Sequence, residues 1–364
     1  MVSIDPSNGN IVAMVGGKDY NASQFNLATQ MSRQAGSSFK TFTLLAALQA
    51  GVDPDNTYIN ADSPATIGTN WTVNNSEGEG GGYMSIREAT TYSVNTVYGR
   101  LIHGIGAQSV VDMAHAAGIT SDLQPYDSLT LGAQGVSALE MASAYATIAN
   151  GGVYEKPVFY TKITDHDGNV LIDNTEAYSR TVLKDSTAWL LTSAMKDVVT
   201  KGTGTLISLG DMPVAGKTGT TSDYKDIWFS GYTPYYTCTI WGGYDNNDDL
   251  PTVDGDTYHT YHKILWNAIM NRIHQNLPVK DFEQPEDIVT ATVCKKSGKL
   301  PIEGICDQDP RGSQVYEEYF IRGTEPKSSC DKHVALTVCQ ETGLLASSTC
   351  TGTLARLSQT DFKT

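Results

Sequence analysis

Residues 36–42 read Gly-Ser-Ser-Phe-Lys-Thr-Phe and run directly into the apolar-periodic stretch TLLAALQAG, so a hydroxyl and an amine stand three positions apart where a helix begins. In a helix starting near Ser37, Lys40 lies above the serine on the same face. The helix N-terminus is electropositive and stabilises negative charge on an attacked carbonyl. That field, with any burial, also favours a neutral amine at position 40, and a neutral amine can take the serine proton. Serine is an ordinary helix cap as well, so the pair gains chemical meaning only beside other groups.

Two further stretches supply them. TTYSVNTVYG places Ser93 and Asn95 two apart at a break before a helical run, where hydroxyl and amide can both face one cleft, although an Asx or Ser turn has the same composition. VAGKTGTTSD reads as a strand in which Lys217 and Gly219 face one way and Thr218 and Thr220 the other. Gly219 leaves room for a substrate backbone along the strand, and it also suits a weakened edge strand. On simple alternation, Lys217 and the two threonines reach one ligand only through a twist or a bulge.

The elements that position these groups follow from periodicity. MVSIDPSNGNIVAMVGG opens the chain as a hairpin, and strand signals return at 214–220, 227–232 and 237–244, the last two joined by Thr233-Pro234-Tyr235-Tyr236. Between the two groups the pattern is helical. Phe39, Phe42, Leu45 and Leu48 share a face and stop at Gly51, and Ser85…Glu88 and Ser137…Glu140 are capping boxes. Asp185 caps another helix, and a last one runs from about Thr257 to His274 with Ile264, Leu265, Ala268 and Ile269 inward. This order predicts a sheet domain carrying a helical insertion. A Pro- and Gln-containing stretch near 275–285 then leads into a cysteine-rich tail.

Composition sets outer bounds. The 364 residues carry 40 carboxylates against 25 Lys and Arg, a net charge of −15 that argues against nucleic acid and anionic lipid as partners. No apolar run is long enough to span a membrane. Opening inside a first strand suggests the remainder of a longer protein. Of six cysteines, Cys238 stands alone while Cys294, Cys306, Cys330, Cys339 and Cys350 crowd the tail, in the repeat TVCKKSGKLPIEGIC and TVCQETGLLASSTC. Zinc ligands usually sit closer in sequence, and no histidine is seen to complete a set. The expectation is therefore two short disulfide loops, Cys294–Cys306 and Cys339–Cys350, with Cys330 and Cys238 left over, in an oxidising extracytoplasmic setting.

Together, Ser37-x-x-Lys40, Ser93-x-Asn95 and Lys217-Thr218-Gly219 carry the S-x-x-K, S-x-N and K-T-G signature of penicillin-binding proteins and class A β-lactamases. VSIDPSNGNIVAMVGG, FNLATQMSRQAGSSFKTF, SLTLGAQGVSALEMASAYATIANGGV and AGKTGTTSDYKDIWFSGYTP widen the likeness, and over about residues 1–280 the chain resembles the transpeptidase domain of class A, bifunctional penicillin-binding proteins. The tail at 281–364 is similar to the C-terminal extension of Gram-positive members. Ala35 departs from the family, which commonly has proline there, and the family's membrane anchor and glycosyltransferase domain are not in this sequence.

The resemblance implies an α/β (α+β) fold of the penicillin-binding-protein and β-lactamase type, an antiparallel sheet flanked by helices with an all-helical subdomain. It implies a D,D-transpeptidase that cross-links peptidoglycan stem peptides through a serine acyl-enzyme. Ser37 is then the nucleophile and Lys40 its base. Ser93 relays a proton to the departing D-Ala, Asn95 holds the peptide amide, and Lys217 adds positive charge. Thr218 and Thr220 receive the substrate carboxylate beside Gly219, and the N–H groups of Ser37 and Thr220 form an oxyanion hole. No cofactor or metal is implied. The partners are stem peptides, β-lactams and other cell-wall synthesis proteins, at the outer face of the plasma membrane.

Two rival functions share these motifs, a D,D-carboxypeptidase or β-lactamase-type hydrolase and a β-lactam sensor. A class A β-lactamase needs Glu with Asn four residues on, but Glu140, Glu155 and Glu176 are followed there by Ala144, Phe159 and Arg180. A sensor has no evident use for the tail repeat or for the likeness over 128–153. His259 and His262 have metal-pair spacing with no evident third ligand, and the acidic run DNNDDLPTVDGD lacks EF-hand spacing. Trp228 and Tyr232 read as core or cleft-wall residues.

Overall fold

The computed structural model describes residues 1–76, 80–176, 178–251, 257–309, 311–339 and 353–359. They form two compact units, one of residues 1–54 and 58–284 and one of residues 55–57 and 285–364.

The larger unit is built on five strands: β1 (Val2–Ile4), β2 (Ile11–Met14), β3 (Ala215–Thr220), β4 (Asp226–Tyr232) and β5 (Thr237–Gly243). Their order is β3-β4-β5-β1-β2 with every pairing antiparallel, so β3 is an edge strand. Strand β4 is buried on both faces. Tyr232 points to one side, where its hydroxyl meets Thr192, and Phe229 points to the other, against Trp266. Trp228 and Tyr232 are both fully buried core residues, and the Trp228 indole donates to the Gln34 carbonyl.

Between β2 and β3 come helices α1 (Lys40–Gln49), α2 (Ile86–Thr91), α3 (Asn95–Ile105), α4 (Ala107–Ala117), α5 (Ala138–Ala149) and α6 (Asp185–Lys201). The same stretch carries short ribbons too brief to register in periodicity, such as Ala65–Ile67 with Trp71–Val73. The Ser137–Glu140 capping box is complete, whereas Asp185 is the first helical residue and accepts from the Ser186 N–H instead of capping. Helix α1 is buried from Lys40 to Leu48, the mark of a central helix. Phe39 and Phe42 stack edge to face at 4.8 Å, and Phe42 continues onto Tyr145 at 6.2 Å. Each such aromatic pair adds about 0.5–1.5 kcal/mol beyond its buried area.

Helix α7 (Thr257–His274) covers the other face of the sheet. The expected inward face was half right. Leu265 and Ile269 pack against the core, but Ile264 and Ala268 are exposed, and the fully buried stripe is His262, Trp266 and Met270, spaced by four. The indole of Trp266 donates to the Cys238 carbonyl, which fixes that stripe rather than the Ile264 side.

The second unit contains two antiparallel ribbons, β6 (Ile288–Cys294) with β7 (Val315–Ile321) and β8 (His333–Cys339) with β9 (Thr353–Gln359). The expected Cys294–Cys306 bridge is not formed, and Cys330 is not left over. Cys294, Cys306, Cys330 and His333 are all buried with their ligand atoms within 4.8 Å of one another. A histidine therefore does complete the set. Spacing hid this because Cys330 reaches Cys294 through long-range pairing, its N–H donating to the Leu300 carbonyl at 2.7 Å. Cys350 of the other expected pair lies outside the described residues. Cys238 is a thiol in the sheet core, and burial pushes its pKa up to about 12.

Candidate active site

Ser37 lies in a 3₁₀ turn, Gly36–Phe39, that runs straight into α1. A 3₁₀ turn has about three residues per turn, so Ser37 and Lys40 stand directly over one another. Ser38 points away from the cleft. It is fully buried, and its hydroxyl donates to the Ala35 carbonyl at 2.6 Å. The Ser38 carbonyl accepts from the Tyr145 hydroxyl at 2.8 Å, tying the turn to α5.

Ser93 lies between α2 and α3 with φ 64°, a left-handed conformation that a non-glycine residue adopts only under constraint from its surroundings. The conformation aims its hydroxyl at two amines. Lys40 Nζ is 3.1 Å from Ser93 Oγ and Lys217 Nζ is 2.8 Å from it. Lys40 also donates to the Ser93 carbonyl and, at 2.6 Å, to Asn95 Oδ1. The Asn95 amide nitrogen donates to the Asn74 carbonyl at 2.9 Å. Both lysines are fully buried, and Lys40 Nζ lies 5.5 Å from the centre of the Tyr98 ring. Ser37, half-buried, and Ser93 open onto a cavity of about 620 Å³ that Asn95, Thr218 and Thr220 also line.

Strand β3 pairs with β4 residue by residue, Lys217 opposite Ser230 and Thr218 opposite Phe229, with no bulge. The bulge expected from alternation is therefore not needed. Thr218 and Thr220 line the cavity from one face of β3, while Lys217 reaches from the other face to the Ser93 hydroxyl, which lines it as well. Gly219 serves a different purpose from the one expected: a Cβ there would lie 2.2 Å from the Ala35 carbonyl oxygen and 2.9 Å from Ser38 Oγ. The 3₁₀ turn itself occupies that space. Gly36, at φ 56°, likewise abuts the backbone of Thr220, which brings the start of the turn against the end of β3.

Sequence reasoning missed several lining residues. Thr203 Oγ1 is 2.7 Å from Thr218 Oγ1, and Tyr224 stacks on His259 with ring centres 3.5 Å apart. His262 lines the cavity too, and burial, with the Lys263 charge behind it, lowers its pKa to about 3. His259 and His262 are not joined by a third ligand among the described residues. Thr203 and Tyr224 belong to no short motif, which is why they escaped notice, and His259 and His262 had drawn attention only for their metal-pair spacing.

Residues 1–251 match the penicillin binding protein transpeptidase domain, and residues 284–335 match the C-terminal domain of penicillin-binding protein 1A. The chain is 36% identical over 363 residues to penicillin-binding protein 1A of Clostridium botulinum, covering 95% of this chain and 43% of that protein. It is 33% identical over 334 residues to penicillin-binding protein 1A of Aquifex aeolicus, covering 91% and 44%. The chain thus spans less than half the length of these curated relatives. Among solved structures it is similar to the PonA1 protein of Mycobacterium tuberculosis in complex with penicillin V (TM-score 0.70, 31% identity, 78% of this chain and 80% of that one). It is also similar to penicillin-binding protein 1A of Haemophilus influenzae (TM-score 0.75, 27% identity, 90% and 54%). With the transpeptidase domain matched over most of its length, the chain belongs to the penicillin-binding protein transpeptidase family.

Proposed function

We propose that this chain is a serine acyltransferase acting as a D,D-transpeptidase on peptidoglycan stem peptides, and that β-lactams acylate the same serine. The observation that carries this reading is the meeting of two lysine amines on the Ser93 hydroxyl, in the cavity that also exposes Ser37. Two like charges around one oxygen favour the state in which one amine is neutral. Lys40, one turn from Ser37, is that amine and takes the nucleophile's proton. Ser37 Oγ then attacks the carbonyl between the terminal D-alanines. The N–H groups of Ser37 and Thr220 stabilise the oxyanion, each such donor contributing about 2.7–4 kcal/mol to the transition state.

Collapse of the tetrahedral intermediate expels D-Ala, whose nitrogen takes a proton relayed by Ser93 from the lysine pair. Asn95 fixes Lys40 through its carbonyl oxygen and can reach the peptide with its remaining amide hydrogen. Thr218, braced by Thr203, and Thr220 receive the terminal carboxylate. An acceptor amine from a second stem peptide then resolves the ester. Glu140 is unavailable to activate water in its place, because its carboxylate accepts from Ser137, Thr120 and Ser121. This substrate class places the chain on the outer side of the plasma membrane. Among the described residues no helix is long and apolar enough to cross it.

The test is covalent labelling. A labelled penicillin attaches stoichiometrically to Ser37, and the adduct persists for hours. Ser37→Ala removes it, while Ser38→Ala keeps most of it. A stable adduct on the Ser37→Ala protein would end this reading, and loss of the wild-type adduct within minutes would point to a hydrolase.

A further inference from the structure

We propose that the second unit holds a structural zinc ion on Cys294, Cys306, Cys330 and His333. The four residues come from separate places: the end of β6, the turn Cys306–Gln308, the loop before β8, and the first residue of β8. Their ligand atoms nevertheless lie within 4.8 Å of one another and all four side chains are buried. Three sulfurs and one imidazole nitrogen form a recurrent tetrahedral set for structural zinc.

The distances suit a shared ion better than a disulfide. With metal–sulfur bonds near 2.3 Å, ligands at tetrahedral corners sit about 3.8 Å apart. Cys294 and Cys330 Sγ are 3.5 Å apart, and His333 Nδ1 is 3.3 Å from the first and 3.4 Å from the second. A disulfide would need about 2.05 Å between two sulfurs and would leave the third and the imidazole without a role.

The imidazole is oriented for coordination. His333 Nε2 lies 2.9 Å from the buried Asp309 carboxylate, which only accepts, so the ring proton sits on Nε2. The lone pair is then on Nδ1, the atom that faces the sulfurs. A carboxylate behind a histidine is the usual partner of a metal-binding imidazole. Asp309 is fixed in turn by Arg311, whose guanidinium contacts both carboxylate oxygens at 3.1 Å. Two backbone donors also serve the sulfurs, Ile302 N–H to Cys306 at 3.2 Å and Lys332 N–H to Cys330 at 3.4 Å. Such donors offset thiolate charge around a divalent ion. Iron favours four thiolates, and calcium or magnesium favours oxygen donors, so this set selects zinc.

The experiment uses the full chain, reduced, stripped with a chelator, dialysed against zinc chloride and measured by elemental analysis. One zinc per chain is expected, with three thiols protected from a thiol reagent until chelator is added. Cobalt(II) in place of zinc should show the visible bands of tetrahedral thiolate coordination. Asp309→Asn should bind zinc 10–100-fold more weakly, and His333→Ala more weakly still. Cys339→Ser should bind as wild type. Should any variant not fold, the wild-type stoichiometry and cobalt spectrum decide alone. No stoichiometric zinc in the reduced wild type, or a Cys294 disulfide that survives in folded protein and blocks uptake, would overturn the assignment.

Discussion

Two ways of holding reactive side chains stand side by side in this molecule. In the larger unit, Lys40 and Lys217 are fixed by mass: a central helix buried on every side, a buried strand, and edge-to-face aromatics from Phe39 to Tyr232. In the smaller unit, the buried cluster around Cys294, Cys306 and Cys330 has, among the described residues, only Ile302 and Val315 packed against it as apolar neighbours. There the sulfurs and the imidazole are themselves the centre. Small units with little apolar core generally need a cross-link or a metal, whereas a large core can bury two amines and still fold. The first unit should therefore fail through local misplacement, and the second through loss of whatever joins its ligands.

The largest effect should come from the lysines. Lys40→Arg should lower penicillin acylation by at least ~100-fold, since guanidinium stays protonated and general-base catalysis is worth 10²–10⁴-fold. Lys217→Arg should retain part of the rate, because its part is charge and hydrogen bonding. Stopped-flow acylation distinguishes the two, and equal rates would reverse the assignment.

Next comes Gly219→Ala. A methyl group 2.2 Å from the Ala35 carbonyl must push the 3₁₀ turn or the edge strand aside. Overpacking of this kind costs about 1–3 kcal/mol, and a displacement near 1 Å can cost ~10²-fold in rate. Gly17→Ala, with nothing within 4 Å of the new methyl group, should change neither denaturant midpoint nor acylation.

A smaller effect is pH-dependent. His262 is held neutral by burial, with a pKa of about 3 against 6.5 when unfolded. The unfolded chain thus binds a proton first as pH falls. Stability is complete above about 6.5 and drops toward 3, by up to ~1.4 kcal/mol per pH unit. Between pH 7 and 5, His262→Gln should lose about 2 kcal/mol less than wild type in urea titrations. Equal losses would show that the ring takes up its proton in the fold. The smallest effect sharpens the contrast itself. Chelation that loosens the second unit should change the acylation rate of Ser37 by less than about twofold, within the roughly 0.5 kcal/mol scatter expected of independent sites.

How much of this was legible depended on distance along the chain. Ser37 and Lys40 are neighbours on one turn, and Lys217 to Thr220 share one strand, so periodicity alone placed them relative to each other. Local spacing gave no cavity role to Thr203, just past the end of α6, or to His262 near the start of α7, and Tyr224 reaches the cavity from the turn that follows β3. Alternation placed Lys217 apart from the two threonines correctly, and what it could not show is that Ser93 stands between them and connects the amine to the cavity. The purpose of Gly219 was misjudged because the occupant of its missing side chain lies about 180 residues earlier. In the tail, the repeat suggested two short loops, while long-range pairing delivered Cys330 and His333 to the partners of the first.

Ser93 has a consequence for anyone trying to make this chain more heat-tolerant. Its left-handed backbone, φ 64°, stores about 1–3 kcal/mol that glycine would release. A stabilisation scan for non-glycine residues at positive φ would rank it near the top. Yet the conformation is what aims the hydroxyl at Lys40 and Lys217. Both Ser93→Gly and Ser93→Ala should remove the proposed relay and the acceptor of two buried amines, but glycine also releases the strain, so Ser93→Gly should melt above Ser93→Ala. At this turn, durability and turnover are opposed by a single dihedral angle.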